Sequence, residues 1–409
     1  MKIAHICTGY PIRYPGGITN YVRSLAETQV ANGDHVVVVC GPSNTPEQDS
    51  PAPFEEWNYS SERMRPFSLQ MLEDDPSCAN LLADIRAENF DLVHFHMGLD
   101  LPISFYQHTA LANIPYIISL HDYFLICPRI TMINFRGVVE REVNVDKCKS
   151  CVGVFDQIDI FEKFRSITGI YMPRISSNKV VHRNEVMRQF LRGAKVVLPV
   201  SERVRDIVSS VVPDANYQVC HIGNSSAEAK TVRKHASNTI RLTILGTLSK
   251  HKGSSIVERF LRSVSREDIT FQFYGRSTRT IIKRLTALGM VDRGPYVPSD
   301  LPNIMASSDL GVVVPIWEDN APQVVMEFLN YGIPILGTKM GGIPDFVHEG
   351  NGILFDPYDQ TSIDVAINRI RSLDHSEIAR LAQGAKRLKS PCEHGREMAM
   401  IYKRAVSNG

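Results

Sequence analysis

Residues 2–40 decide the fold, and they read KIAHICTGYPIRYPGGITNYVRSLAETQVANGDHVVVVC. Residues 3–7 are a short apolar run, and residues 9–17 are rich in glycine, proline and tyrosine. His35–Cys40 is the β-branched run of a strand buried on both faces. Between them, apolar residues recur at helical spacing, at Val22, Leu25, Ala26 and Val30. Strand, loop, helix and strand form a βαβ unit, which crosses over right-handed in a parallel sheet.

The same order of elements returns in the second half of the chain. Residues 242–245 predict a strand, residues 246–253 a glycine-bounded loop, and a helix is expected from about Ser254. The polar stretch 223–238 is the best linker between the two halves. We therefore predict an α/β fold of two Rossmann-like, doubly wound domains that face each other across a cleft, with residues 1–222 and 223–389 as the domains.

Other stretches of the chain divide into further strands and irregular segments. Residues 42–76 and 123–160 have little periodicity and are predicted to be irregular, whereas residues 390–405 predict an amphipathic helix. The further strands are predicted at residues 92–95, 116–120, 196–200, 218–222, 271–274, 310–314 and 333–336.

Length and composition exclude several classes of protein. At 409 residues the chain exceeds one hydrophobic core, which stops growing at about 250–300 residues. The 45 basic and 44 acidic side chains balance, so the bulk charge that draws a protein to nucleic acid is missing. No nucleic-acid partner is expected, and the sequence leaves the oligomeric state open.

The cysteines and the apolar runs indicate the compartment. Eight cysteines are scattered along the chain, without the dense framework of small secreted domains. The first residues lack the apolar region of a signal peptide, and no apolar run reaches the roughly 18 residues of a membrane span. A cytoplasmic protein is expected. Peripheral membrane contact through Arg183, Arg188 and Arg192 is an alternative to a solvated helix face there.

The strongest chemical signal is the segment WEDNAPQVVME at residues 317–327. It follows a predicted strand, so it lies at the edge where open α/β sheets bind ligands. Asn320 is predicted to cap a helix whose first turn holds Pro322, leaving backbone N–H groups at residues 321–323 for a ligand. Glu327 would then lie about 9 Å beyond Asp319. A capped, solvated helix with two incidental carboxylates is the structural alternative.

Four other side chains are candidates for chemistry, each with a structural alternative. Lys252 lies in the glycine-bounded loop, where a solvated lysine is the alternative. His121 follows the strand at 116–120, where a core histidine is the alternative. His94 and His96 alternate around Phe95 on one strand, so they share a face and are candidates to contact a ligand, with burial as the alternative.

Three cysteines raise the question of a metal. Cys148 and Cys151 form a C-x2-C pair, and Cys127 lies in the same irregular region. Structural zinc takes four ligands and this region offers three thiols. We therefore predict free thiols, with a structural zinc site as the less favoured alternative.

The motifs taken together resemble the retaining glycosyltransferases of family four, also called group 1 glycosyltransferases, which have the GT-B fold. The resemblance covers nearly the whole chain. It rests on Gly16-Gly17-Ile-Thr-Asn-Tyr-Val, His121-Asp122, Gly246…Lys252-Gly253, Asp319…Glu327, Gly332-Ile-Pro, Thr338-Lys-Met-Gly341-Gly342-Ile-Pro-Asp345 and Gly352-Ile-Leu-Phe355.

The acidic segment gains roles from this resemblance. It implies that Glu327 holds the ribose of a nucleotide and that Asp319, where the family more often has Glu, lies by the transferred sugar. The backbone of Asn320, Ala321 and Pro322 is implied to bind sugar hydroxyls.

The remaining motifs are implied to surround the diphosphate and the sugar. Lys252 would neutralise the donor diphosphate, His121 would lie beside the donor sugar, and the loop at Gly16 and Gly17 would approach the diphosphate. The family often has Arg where this chain has Thr247, and Arg276 and Arg203 are the candidates to replace that charge.

The implied protein is a retaining, metal-independent glycosyltransferase. The chain has no D-x-D motif for a cation, and its glycine spacing differs from the G-x-G-x-x-G of NAD enzymes. No cofactor is expected beyond the nucleotide-diphospho-sugar co-substrate. The first domain, with helix 390–409 packed back on it, would take a glycan, lipid-linked or protein-linked acceptor, with His94 and His96 as the candidate acceptor-side residues. A nucleotide-sugar epimerase and a non-catalytic partner subunit are the alternatives.

Overall fold

The computed structural model describes residues 1–14, 16–42, 52–60, 76–99, 101–107, 114–134, 137–140, 142–144, 147–148, 151, 168, 177–229 and 237–407. The chain divides into two compact units. The first unit holds Met1–Ile222 and Pro391–Gly409, and the second holds Gly223–Ser390.

The described part of the first unit contains one sheet of six parallel strands. The strands are β1 (Lys2–Thr8), β2 (His35–Cys40), β3 (Glu55–Asn58), β4 (Leu92–Gly98), β5 (Tyr116–Leu120) and β6 (Val196–Pro199). The helices of residues 1–222 that the structure describes are α1 (Gly17–Ala31), α2 (Pro76–Ala87), α3 (Ile103–Gln107), α4 (Ser177–Gly193) and α5 (Glu202–Val211). The strand order is β3-β2-β1-β4-β5-β6, which is the doubly wound order.

The second unit repeats this architecture within its described residues. Its strands are β7 (Ile240–Leu248), β8 (Ile269–Ser277), β9 (Val291–Asp292), β10 (Leu310–Val313), β11 (Ile335–Thr338) and β12 (Gly352–Phe355). Its helices are α6 (Ser254–Ser263), α7 (Arg279–Thr286), α8 (Leu301–Ala306), α9 (Gln323–Asn330), α10 (Gln360–Arg371) and α11 (His375–Gly384). The order β12-β11-β10-β7-β8-β9 is the same doubly wound order read from the other edge. The α/β fold class is confirmed.

The last helix, α12 (Pro391–Ser407), packs on the first unit. Its Tyr402 hydroxyl lies 2.6 Å from His94 Nδ1 on β4, and its His394 Nε2 lies 2.7 Å from the Tyr21 hydroxyl on α1. The apolar face that the sequence predicts for this helix is buried, with Met398 and Tyr402 at most 1% exposed. The interior of the first unit therefore depends on both ends of the described chain.

Two parts of the first unit differ from the sequence prediction. Residues 55–58, in the stretch predicted to be irregular, form the edge strand β3 beside β2. Residues 218–222 are not a strand. The Gln218 and Cys220 N–H groups donate to the Val197 and Pro199 carbonyls, at 3.0 and 2.9 Å. Proline has no N–H to return the next bond, so pairing stops at the isolated Val197–Tyr217 bridge.

The basic stretch on α4 is not the single solvated face that its sequence favours. Arg183 is only 2% exposed, and its guanidinium donates to the Phe124 carbonyl and lies over the Phe124 ring. Arg192 is exposed and forms a 2.7 Å ion pair with Asp214. Arg183 is therefore unavailable to a lipid surface. No described helix has both the length and the apolar content that crossing a bilayer requires.

Candidate active site

The strand order of the second unit reverses between β7 and β10, and the candidate residues gather at the carboxyl ends of these two strands. Gly253 ends the loop after β7 in a left-handed conformation, with φ of +88°. A Cβ at this position would lie 1.8 Å from the Val314 carbonyl oxygen, so only glycine lets the loop approach the end of β10 this closely. The Ile316 N–H donates to the His251 carbonyl at 2.9 Å and ties the two segments together.

Lys252 lies at the centre of this junction. Its Nζ lies 2.5 Å from Asp319 Oδ2 and 5.2 Å from the centre of the Trp317 ring. The lysine side chain keeps 34% of its surface exposed, whereas the aspartate side chain keeps 11%. The structure thus brings together two of the charged residues that the sequence indicates, and the lysine is the more exposed of the two.

The acidic segment is fixed to the turn that follows β11. The Gly341 N–H donates to Glu318 Oε2 at 2.9 Å, and the Gly342 N–H donates to the Asp319 carbonyl at 2.8 Å. Gly341 has a φ of +53°, and a Cβ there would lie 1.9 Å from the Asp319 carbonyl oxygen. Gly341 is therefore needed for the close approach to this segment.

The predicted helix cap at Asn320 is wrong. Helix α9 begins at Gln323 with Pro322 at the cap position, and the Val325 N–H already donates to the Pro322 carbonyl. Asn320 and Ala321 lie in the preceding loop, so the estimate of 9 Å along one helix between Asp319 and Glu327 does not apply. The hydrogen bonds to the glycine turn hold residues 318–319 away from a helical path.

Asn320 is nevertheless an unusual side chain. It is 3% exposed, and neither its amide oxygen nor its amide nitrogen has a hydrogen-bond partner among the described residues. Leaving a buried polar group unpaired costs about 1–3 kcal/mol. A polar ligand that reached Asn320 could supply the missing hydrogen bonds.

Glu327 shows the same feature on α9. Part of the side chain reaches the surface, but its Oε2 is buried without a partner among the described residues. Burial raises the pKa of this carboxyl group to about 7. Hydroxyl donors that reach Oε2 would form strong hydrogen bonds with the ionised carboxylate.

Thr247 lies near the end of β7, and its register partner on β8 is Arg276. Both residues are exposed, and register partners on neighbouring parallel strands point to the same face of the sheet. The structure thus places one of the two candidate replacement cations beside Thr247. Arg203 is on α5 of the first unit.

In the first unit, Gly16 and Gly17 begin α1 after the loop that follows β1. Gly16 is the cap residue in an extended conformation, and the Thr19 hydroxyl donates to the Tyr14 and Gly16 carbonyls at 2.5 and 3.1 Å. The loop therefore ends in a helix N-terminus beside the switch point of the first sheet, the geometry that favours an anionic group.

His121 follows β5 and belongs to a group of histidines. Its Nε2 lies 3.2 Å from His96 Nδ1, and its ring centre lies 4.7 Å from that of Tyr21, with the two rings tilted by 55°. His94 is fully buried. Its Nδ1 is hydrogen-bonded to the Tyr402 hydroxyl, and its Nε2 is hydrogen-bonded to the Ser119 hydroxyl at 2.8 Å. Both nitrogens of His94 are thus engaged within the unit, which favours its structural alternative over an acceptor-side role.

Several partners in this group have no signal in the sequence. His5 on β1, Gln29 on α1 and His394 on α12 reach it from separate segments. The alternation around Phe95 indicates only His94 and His96. The other members come from distant segments, and their contacts depend on the register between strands, which the sequence does not show.

The three cysteines do not form a compact ligand set. Cys127, Cys148 and Cys151 are partly buried and are not linked by disulfides. Among the described residues, two groups place three ligand atoms within 4.8 Å of one another: His5, His94 and His96, and Cys220, His394 and Glu397. The cysteine trio is in neither group.

The match to known families agrees with the two units. Residues 15–223 match the family described as Glycosyltransferase Family 4, and residues 225–387 match the one described as Glycosyl transferases group 1. The chain belongs to glycosyltransferase family 4.

Curated relatives of this family 4 chain are distant. It is 22% identical over 242 residues to the sulfoquinovosyl transferase of Arabidopsis thaliana, a match that covers 54% of this chain and 46% of that protein. The matches span 34% to 63% of the length of the first three curated relatives.

Solved structures share the fold along the whole chain. The sucrose-phosphate synthase of Thermosynechococcus elongatus superposes with a TM-score of 0.72 at 14% identity, covering 100% of both chains. Anabaena HepE in complex with UDP and glucose superposes with a TM-score of 0.65 at 16% identity, covering 99% of this chain and 100% of that one. The predicted GT-B class of this family 4 protein is confirmed.

Proposed function

We propose that the protein is a retaining glycosyltransferase that moves a sugar from a nucleotide-diphospho-sugar to a glycan, lipid-linked or protein-linked acceptor. The observation that carries the proposal is the set of buried polar atoms on Asn320 and Glu327 that have no partner among the described residues, in the segment whose Asp319 pairs with the Lys252 cation at the switch point of one sheet. A ligand with hydroxyl groups and a diphosphate would satisfy these atoms together. Synthesis of a polysaccharide or another glycoconjugate in the cytoplasm is the expected setting.

Each side chain has a task that fits its surroundings. Glu327 Oε2 accepts from ribose hydroxyls, and the Asn320 amide hydrogen-bonds the transferred sugar beside Asp319. Lys252 exchanges its 2.5 Å contact with Asp319 for the diphosphate, which carries more charge than one carboxylate. Arg276, beside Thr247, is the nearest candidate to add a second cation.

These tasks address the charge changes of the reaction. Cleavage of the bond between sugar and phosphate builds positive charge on the sugar ring and negative charge on the departing diphosphate. Fixed cations and N–H groups stabilise such a leaving group without reorganisation. Asp319, close to Lys252, supplies negative charge where the sugar becomes positive.

Similar proteins support the class of donor. Anabaena HepE has been solved in complex with UDP and with UDP-glucose, and the relative from Arabidopsis thaliana is named as a sulfoquinovosyl transferase. These names describe those proteins. For this chain they favour a nucleotide-activated sugar as the donor.

The proposal is tested by ligand binding followed by product analysis. At least one of the UDP-, GDP-, ADP- and dTDP-sugars should raise the melting temperature, because a ligand that binds only the folded state stabilises it by RT ln(1 + [L]/Kd). With the donor identified, NMR of the product should show the anomeric configuration of the donor. An inverted product would refute retention. Epimerised donor formed without acceptor would select the epimerase instead.

Metal independence is a second prediction. Because the sequence has no D-x-D motif and Lys252 can meet the diphosphate, transfer should persist in excess EDTA with less than about a twofold change in rate. Activity that EDTA abolishes and Mg²⁺ or Mn²⁺ restores would contradict it. Restoration by zinc alone would direct attention to the cysteine and histidine groups.

A further inference from the structure

A chain of hydrogen bonds crosses the interior of the first unit and ends at His121. Gln29 Oε1 lies 2.7 Å from His5 Nε2, His5 Nδ1 lies 2.9 Å from His96 Nε2, and His96 Nδ1 lies 3.2 Å from His121 Nε2. His5 and His96 thus use both ring nitrogens within the chain. Of the three rings, only that of His121 keeps a nitrogen, Nδ1, without a hydrogen-bond partner in the described part of the protein, and this nitrogen can meet a ligand.

The three rings are neutral at physiological pH. Burial lowers the pKa of His5 to about 4 and that of His121 to about 3, and it holds the pKa of His96 well below its usual range. A neutral imidazole carries one N–H and one lone pair. Since each contact between two ring nitrogens needs one proton, the protons must all point the same way along the chain. His5, His96 and His121 must therefore share one tautomer.

The direction is fixed at the Gln29 end. With the Gln29 carbonyl oxygen on His5, His5 donates from Nε2 and accepts at Nδ1. His96 then donates from Nε2 to His5, and His121 donates from Nε2 to His96. His121 is left with a lone pair on Nδ1. If the Gln29 amide nitrogen faced His5 instead, every bond would reverse and His121 Nδ1 would carry a proton.

We propose that Gln29 is a positioning residue that sets the tautomer of His121 through His5 and His96, so that His121 presents Nδ1 as a hydrogen-bond acceptor. The consequence for activity rests on the proposed function: His121 then accepts from a sugar hydroxyl and cannot donate to one. Gln29 itself contacts no substrate, because it is buried on α1 at the far end of the chain.

The unmodified protein provides the first test. In ¹⁵N NMR of protein labelled at its 13 histidines, His5, His96 and His121 should all be protonated at Nε2 and unprotonated at Nδ1. A mixture of tautomers among these three rings would overturn the proposal. So would stoichiometric zinc whose removal changes their signals, because the short contacts would then be bridged by a metal.

A pair of variants tests the role of Gln29. Gln29→Leu removes the oxygen that accepts from His5 Nε2. The Nε2–H of His5 would then be buried without a partner, and His5 avoids this if all the hydrogen bonds along the chain reverse direction. The His121 Nε2 signal should then move from the protonated to the unprotonated range. Ser119→Ala is the matched control, because it removes a hydrogen-bond partner of the neighbouring His94, which is outside the chain. It should leave the tautomer of His121 unchanged.

The outcomes separate this inference from the proposed function. An unchanged His121 signal in folded Gln29→Leu, or an equal change in Ser119→Ala, would overturn the inference. In an active enzyme, Gln29→Leu should lower kcat at least fivefold with a donor KM within twofold of wild type. The tautomers are measured without turnover. If they match the expected pattern in a protein that transfers no sugar, the proposed function is refuted and the inference about Gln29 stands.

Discussion

Replacing Lys252 by alanine is expected to lower turnover at saturating donor by at least about tenfold, equivalent to about 1.4 kcal/mol of transition-state stabilisation. The cation lies at the carboxyl end of β7 against Asp319, where a departing diphosphate would gain most from it. The charge on this group grows as the bond breaks, so its loss should reduce kcat more than donor affinity. Steady-state kinetics at several donor concentrations separate the two parameters.

Two further variants make this measurement specific. Lys250→Ala removes the same charge from the same loop at an exposed position, and it should keep kcat within twofold of wild type. Asp319→Asn keeps Lys252 but removes its ion-pair partner, so a fall in kcat there measures the contribution of Asp319. Activity near wild type in Lys252→Ala, with donor saturating, would remove Lys252 from the mechanism.

The fold could be predicted because its strands are apolar runs bounded by clear breaks. His35–Cys40 and Tyr116–Leu120 are strands with the predicted bounds, since a buried parallel strand leaves little choice of residue. The strand predicted at residues 333–336 lies two residues too early, since β11 is Ile335–Thr338. Gly332 and Ile333 still close α9 through bonds to Leu329 and Phe328 before β11 begins at Ile335.

The errors at the candidate site arise from contacts between distant segments. Asn320 has the local character of a helix cap, but the Gly341 and Gly342 N–H groups bind the preceding residues and shift the helix start to Gln323. Likewise, the contact between His5 and His96 cannot be predicted from sequence, because it exists only once β1 and β4 are in register. Local propensity cannot contain such information.

Replacing Glu327 by glutamine is expected to weaken donor binding at least about tenfold while making the free protein more stable at alkaline pH. The carboxylate meets ribose hydroxyls equally in ground and transition states, so the donor KM should rise with little change in kcat. The buried Oε2 has no partner among the described residues without ligand, so its charge destabilises the free protein. Function and stability thus oppose each other at this residue.

The sign of the pH dependence follows from the raised pKa of about 7 against 4.5 for the unperturbed group. Below pH 4.5 the carboxyl is protonated in both the folded and the unfolded chain, and its burial has no charge penalty. Between pH 4.5 and 7 the unfolded chain ionises this carboxyl while the folded protein keeps its proton, so the free energy of unfolding falls by on the order of 2–3 kcal/mol and levels off above pH 7. The stability advantage of Glu327→Gln over wild type should therefore grow between pH 5 and about 7 and stay level at higher pH.

Chemical denaturation at pH 5, 6.5 and 8 measures this difference, and isothermal titration with the identified donor measures affinity over the same range. Glu349→Gln is the control, because it removes an exposed carboxylate of the same unit and should show neither effect. The affinity of wild type should fall by up to about tenfold for each pH unit below 7, whereas that of Glu327→Gln should stay level. A variant that lowers kcat with unchanged nucleotide affinity would place Glu327 at the reacting sugar and reverse the orientation assigned to the donor.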